Sequence, residues 1–209
     1  MKHIILLRHG VTKENQSAVI QGQTDGQLTE LGREQARAAG RRLSEQNIDL
    51  AVTSDLARAR ETLLEVLKFV DCPWTTDKRL RERNFGQFHG RTRDDYAQFV
   101  KDSAYEPHTF RPPDGEDYTM VHQRVLAFLD EAAATPGDGA LLAVTHGGVV
   151  RHLLTQAHQR PLTDVGQFHT DNASITEFLV AADGTIDIVR MNDTSHLGEG
   201  LKGPRLEMI

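Results

Sequence analysis

Three short runs, Ile4–Leu7, Leu50–Thr53 and Leu141–Val144, are apolar almost throughout, and each is followed by polar turn residues and then by a stretch with helical spacing. Runs this short and this apolar suit strands covered on both faces. Strands that alternate with helices assemble into a mostly parallel sheet, because each crossover lays its helix across one face. The chain is thereby confined to an α/β fold, a three-layer α/β/α sandwich with a mostly parallel central sheet. Its 209 residues suit one domain spanning 1–209.

Local signals fill in the helices. Thr29 is placed to cap a helix over Glu30–Glu45, and Ser54 to cap one over Asp55–Val70. Asp117–Ala134 reads as a third helix, stopped by Thr135-Pro136-Gly137-Asp138-Gly139, and residues 148–157 as a fourth. Ser174–Val180 and Thr185–Met191 read as strands joined at Asp183-Gly184, a hairpin signal. Leu80–Gly115 has no clear period and is rich in arginine, aspartate and proline. Residues 82–115 are therefore expected to cover something and to contact substrate.

Two of the apolar runs end alike, in Arg8-His9-Gly10 and in His146-Gly147-Gly148. Ligands of open α/β sheets bind beyond the carboxyl ends of the strands. His9, Ser54 with Arg58 one turn later, and His146 all follow such ends, so topology brings them to one crevice. Arginine presents a rigid fork of donors that matches phosphate oxygens, and a neutral imidazole is a competent nucleophile. Phosphoryl transfer asks mainly for positioning and charge stabilisation, which Arg8, Arg58 and His146 are suited to give. An acid for the leaving oxygen is also needed. Glu82 is a candidate, although it stands among Arg79, Arg81 and Arg83.

Composition narrows the partners. The formal charge of −6 gives no reason to expect nucleic acid or a membrane surface. Cys72 is the single cysteine, which fits a reducing compartment, and the four-residue apolar run near the start is too short for a signal core. A cytoplasmic protein is expected, with a homodimer left open. His146 and His152 are six residues apart, which is not the spacing of a helical metal pair. His89, His108, His122, His152, His158, His169 and His196 read as structural or surface residues, and Arg79–Arg93 as a charged, solvated face.

Taken in order, LLRHG, TDGQLTELGREQA, TSDLARARET, LRERNFGQFHG, PPDGEDY and VTHGGVVRHLL resemble the histidine phosphatase superfamily, the phosphoglycerate mutase-like phosphatases. The likeness runs from about residue 3 to residue 156. It implies hydrolysis of small phosphate monoesters through a phosphohistidine on His9. Arg8, Arg58 and His146 would hold the phosphoryl group, Glu82 would be the proton donor, and Asn15 would touch the phosphate. Thr12, Gln21 and Gly22 fall where the family contacts substrate, and Gly147 is placed with them. The implied partner is a small phosphorylated metabolite, with no cofactor and no metal. His89 stands where the family often has glutamate. Gly148 after Gly147, and the short span between Glu82 and His146, resemble the phosphatase branches rather than the mutases. A phosphoglycerate mutase and a non-catalytic phospho-ligand receptor remain as alternatives. A receptor would not need both a nucleophile and an acid.

Overall fold

The computed structural model describes residues 1–103 and 105–203. Residue 104, in the expected covering segment, and residues 204–209, at the end of the expected domain, lie outside the described residues. Six strands form one sheet: β1 Lys2–Arg8, β2 Ile48–Thr53, β3 Trp74–Thr76, β4 Ala140–Thr145, β5 Ile175–Val180 and β6 Ile186–Asp193, in the order β3-β2-β4-β1-β5-β6. β1 pairs with β4, β4 with β2, and β2 with β3 in parallel. β5 and β6 form the antiparallel side. The sheet is thus mostly parallel.

Alternation along the central strands splits the core in two. Ile4, Leu6, Leu141 and Ala143 pack with α5 (Tyr118–Ala134) and α6 (Gly147–Ala157). Ile5, Leu7, Leu142 and Val144 pack on the other face with α2 (Glu30–Leu43) and α3 (Ala57–Val66). Every residue of β4 is buried, which is why its sequence lacks polar alternation. Burying a Leu or Ile contributes about 1.5–3 kcal/mol relative to leaving it exposed, so the two clusters fix the strand register on both sides.

Thr29 caps α2 as expected, its hydroxyl accepting from the Gly32 N–H at 3.0 Å. Ser54 does not cap α3. Its N–H donates to Val144 O at 2.9 Å, so it still belongs to the strand ladder. The cap position falls on Leu56, and the helix ends at Val66 rather than Val70. The edge strand β3 carries no apolar run, because all three of its residues are exposed.

The expected cover, residues 82–115, carries regular structure among its described residues. It contains α4 (Arg93–Asp102), capped by Thr92 and Asp95 in a reciprocal pair. (The short helix α1 spans Lys13–Gln16.) A separate apolar cluster of Ile20, Phe88, Tyr96, Val100 and Phe110 holds the cover together. Most of the arginines from Arg79 to Arg93 are engaged rather than solvated, Arg91 being the exposed one. Arg79 pairs with Asp77 and Glu131, and Arg81 with Asp55. Arg83 is 5% exposed, donates to the carbonyls of Glu116 and Phe110 at 2.7 Å each, and lies over the Phe85 and Tyr118 rings.

Candidate active site

In the β1–β4 ladder Arg8 lies opposite Thr145. The His9 N–H donates to Thr145 O at 2.9 Å, so the pairing runs one residue further. Two histidines that follow neighbouring parallel strands are thereby set side by side, with ring centroids 5.2 Å apart. His9 Nδ1 is 2.8 Å from the carbonyl oxygen of Gly10. A carbonyl can only accept, so Nδ1 carries the proton and Nε2 keeps its lone pair. Burial, then the charges of Arg58 and Arg8, hold the His9 pKa well below the ordinary histidine value. The imidazole is neutral and nucleophilic.

The glycine after His9 has a steric cause. A Cβ on Gly10 would lie 2.3 Å from Gly32 O, and one on Gly32 would lie 2.2 Å from Val11 O. The first turn of α2 packs backbone to backbone against the loop that leaves β1, and neither position has room for a side chain. The same loop is tied to α3, since the Gly10 N–H donates to Thr62 Oγ1 at 3.1 Å.

Arg58 is 1% exposed and donates to Thr24 O at 2.8 Å and to Gly22 O at 2.6 Å. Arg8 donates to Thr170 O. Burial, chiefly, lowers Arg58 to about 10; burial followed by repulsion from Arg151 and Arg93 lowers Arg8 to about 9. Both stay cationic at neutral pH. Among the described residues, Nε of each arginine and Nδ1 of His146 are buried with no hydrogen-bond partner. The other His146 nitrogen, Nε2, sits 2.9 Å from Ser54 Oγ. Buried polar groups left unpaired cost stability, so a cluster of them beside one nucleophile marks a place for an external anion. Asn15 adds a donor. Its Oδ1 accepts from the Thr12 N–H at 3.2 Å and from Asn172 Nδ2 at 3.1 Å, which leaves its own Nδ2 for the cleft.

Glu82 borders the same cleft and accepts from the N–H groups of Arg83 at 2.9 Å and Gly148 at 3.1 Å. Burial would raise its pKa. The Arg151 charge, those two donors and Arg58 prevail and hold it below the usual carboxylate value. A Cβ on Gly148 would lie 2.0 Å from Glu82 Oε1, so the second glycine of the pair makes room for the carboxylate.

The cleft, about 770 Å³ including its mouth, is lined by Arg8, His9, Asn15, Gln21, Gly22, Arg58 and Glu82 among the residues expected from sequence. Thr12 does not line it; the Thr12 hydroxyl accepts from the Asn15 N–H at 3.2 Å and acts by placing Asn15. Gly148 rather than Gly147 borders it, because Gly147 is turned toward Thr170 and Arg8. His146 is fully buried against His9 and is not part of the lining. Sequence reasoning missed Arg93, Tyr96, Arg151 and His152, which do line it. His152, expected to be structural or on the surface, is 2% exposed and borders the cleft. Gly148, Arg151 and His152 stand at i, i+3 and i+4 in the helix after His146, a spacing visible in the sequence. Asn172, also missed, joins the His9 carbonyl to Asn15. His89, in place of the expected glutamate, still acts as an acceptor, taking the N–H groups of Phe85 at 3.1 Å and Gln23 at 3.3 Å on Nε2. Among the described residues no group of three or more His, Cys, Asp or Glu could hold a metal ion, and no helix is long and apolar enough to cross a membrane.

The chain resembles known proteins in sequence and in fold. YhfR of Bacillus stearothermophilus superposes with a TM-score of 0.86 at 31% identity, over 94% of this chain and 99% of that one. A mycobacterial glucosyl-3-phosphoglycerate phosphatase, solved with VO3, gives 0.81 at 29% identity, over 93% and 100%. A Yersinia pestis protein named "Probable phosphoglycerate mutase GpmB" is 32% identical over 206 residues, 94% of this chain and 95% of its own. The model of the histidine phosphatase superfamily, branch 1, matches residues 4–194, and the chain belongs to that family.

Proposed function

We propose that the chain hydrolyses small phosphate monoesters through a covalent phosphohistidine, with no metal ion. The observation that carries this reading is the pinned, neutral His9, whose unprotonated Nε2 opens into a cleft that also holds Arg8, Arg58 and Glu82. Nε2 attacks phosphorus in line, and the bond from phosphorus to the ester oxygen breaks. Arg8, Arg58 and the Asn15 amide stabilise the transferring group, and His146, packed against His9 behind the lining, supports it through its partnerless Nδ1. Glu82 gives its proton to the departing alkoxide. It then takes one from water, which attacks phosphorus and releases inorganic phosphate from His9. The resting carboxylate is ionised, so it has to be loaded before it can act as an acid. A phosphate dianion bound beside it opposes Arg151 and Arg58 and raises its pKa. Substrate binding thus prepares the proton that the first step consumes.

The phosphatase name of the mycobacterial neighbour supports hydrolysis, and the mutase name of the Yersinia relative keeps isomerisation as the second reading. The test is incubation with labelled p-nitrophenyl phosphate and with 3-phosphoglycerate. The expected result is release of phosphate and an acid-labile, base-stable adduct on His9. An adduct on serine or aspartate would overturn the reading, and isomerised phosphoglycerate without net hydrolysis would replace it with a mutase. Excess EDTA should leave the rate unchanged, since the arginines supply the positive charge; loss restored by magnesium would refute the metal-free form.

A further inference from the structure

His146 follows the central strand β4, and both neighbours of that strand bring a polar residue to its end. From the β1 side comes His9. From the β2 side comes Ser54, one residue past the strand, whose N–H continues the ladder onto Val144 O. Ser54 and His146 are both fully buried, and Ser54 Oγ lies 2.9 Å from His146 Nε2. Among the described residues the serine oxygen has one further bond, a long one of 3.4 Å accepted from the Leu56 N–H at the cap of α3. The transfer step uses His146 and so far gives Ser54 no part.

Burial first, then the Arg58 charge, holds the His146 pKa well below the ordinary histidine value, so the ring is neutral. A neutral imidazole carries one N–H, and the nitrogen that bears it is set by what the other nitrogen bonds. Two arrangements fit the 2.9 Å contact. In one, Nε2–H donates to the serine oxygen. The serine proton then has no acceptor among the described residues, and Nδ1 presents a lone pair to an arriving anion. A buried donor without a partner costs stability, and a lone pair repels an anion. In the other, the serine hydroxyl donates to Nε2, its oxygen still accepts from Leu56, and the ring proton lies on Nδ1. Nδ1 is buried with no partner among the described residues, so its proton is available to a phosphoryl oxygen. The second arrangement satisfies every donor once the anion binds. We propose that Ser54 is a positioning residue, whose hydroxyl donates to His146 Nε2 and so keeps the ring proton on Nδ1 for the phosphoryl group. The role rests on the phosphatase reading, whereas the tautomer belongs to the resting protein and is read without substrate.

Ring nitrogen-15 NMR spectra of the labelled protein, with His146 assigned by its loss in His146→Gln, read the tautomer directly. The expected pattern is a protonated Nδ1 and an unprotonated Nε2. The opposite pattern in wild type overturns the proposal, so misfolding of a variant does not shelter it. Ser54→Ala removes the donor, so both tautomers should be populated and the Nδ1 signal should move toward the unprotonated position. Removing a transition-state donor outright costs about 10²–10³ in kcat; here it survives in part of the molecules, so kcat should fall about tenfold, with KM changed less. Ser54→Thr keeps the hydroxyl and should keep the wild-type tautomer and most of the rate. Rate lost in Ser54→Ala while the wild-type tautomer persists would make Ser54 a packing residue and overturn the proposal. Wild-type kcat in a variant whose tautomer has shifted would overturn it too. If p-nitrophenyl phosphate is hydrolysed through His9 and His146 carries its proton on Nε2, the positioning role is refuted while the phosphatase reading stands. If no adduct forms on His9, the role falls with that reading, whatever the spectrum.

Discussion

His9 and Arg93 face one cleft from segments held in place by different physics. His9 stands at the end of a strand whose Ile4, Ile5, Leu6 and Leu7 are all fully buried, between two apolar clusters on opposite faces of the sheet. Its backbone is in the ladder on one side, and its carbonyl accepts from Ala173 N–H and Asn172 Nδ2 on the other. Arg93 starts a helix in the cover, whose own core is a cluster of five buried residues. Arg83 ties the cover to itself, through the carbonyls of Phe110 and Glu116. The cover is joined to the body by Arg124 on α5, which donates to the carbonyls of Arg79, Arg81 and Glu82, and by backbone bonds of residues 90–93 to Ala18 and Ile20. A segment with few buried apolar contacts opens at lower free energy than the sheet. The candidate nucleophile therefore sits on the wall that opens less readily, and Arg93 on the wall that opens more readily.

The sharpest way to break this contrast is at the rigid wall. His9→Ala removes the two-step path and should lower the rate by several orders of magnitude. The fold should survive, because the substitution spares both apolar clusters. Labelled substrate should leave no adduct on the variant. A variant that keeps a tenth of the activity would show that His9 is not the nucleophile.

Glu82 lies where the two walls meet, and its replacement separates acid catalysis from positioning. An alkyl alkoxide needs its proton in the transition state, whereas a nitrophenolate carries its own charge. Glu82→Gln should slow alkyl phosphates about 10²–10⁴-fold and p-nitrophenyl phosphate far less. Asp94→Asn, an exposed acid on α4, is the control. Equal slowing of both substrates by Glu82→Gln would make Glu82 positional.

The cover is tested at its main cross-link. Arg83→Met leaves the carbonyls of Phe110 and Glu116 without their charged donor, a loss of about 3 kcal/mol. That loss should fall on the cover alone. Amide exchange should quicken over about 83–115 while β1 and β4 keep their protection, and KM should rise more than kcat falls. Loss of protection in the strands as well would mean that cover and sheet unfold as one unit.

The two walls also differed in how far they could be read from sequence. The sheet wall was legible because burial on both faces leaves a signal in the residues themselves: four consecutive apolar side chains, an abrupt polar end, and glycine where backbones meet. Ser54 misled because a strand end and a helix cap use the same residue types. Its hydrogen bond to Val144 shows which applied. The cover was illegible for the opposite reason. Its buried charges, Arg83 above all, have the composition of a solvated surface, and only their tertiary partners show otherwise. One local signal was there to be used, the Thr92-x-x-Asp95 pattern that caps α4. Glu82 and Arg58 could be named, but no spacing in the sequence reveals that Arg151 and the Gly148 N–H hold that carboxylate ionised.

His89 gives the smallest expected effect and the finest test of how the cover closes on the body. Its Nε2 accepts from Phe85 on the cover and from Gln23 near Arg58, so one ring nitrogen bridges the two walls. Accepting there requires the neutral ring with its proton on Nδ1. Burial, then Arg58, lowers its pKa below the ordinary 6.5. The sign follows from linkage: the unfolded chain binds the proton more readily, so stability falls as pH drops below about 6.5, until the folded pKa is reached. His152, lowered to about 3 chiefly by burial, acts in the same direction over the window from 6.5 to about 3. His89→Gln keeps an acceptor and should change stability by less than about 1 kcal/mol; His89→Leu leaves two N–H groups unpaired and should cost about 1–2 kcal/mol. Both variants should flatten the loss of Tm between pH 7 and pH 5, because neither can take up the proton. If both instead follow the wild-type slope, the acid sensitivity belongs to His152 and the other buried histidines, and His89 closes the cover without sensing pH.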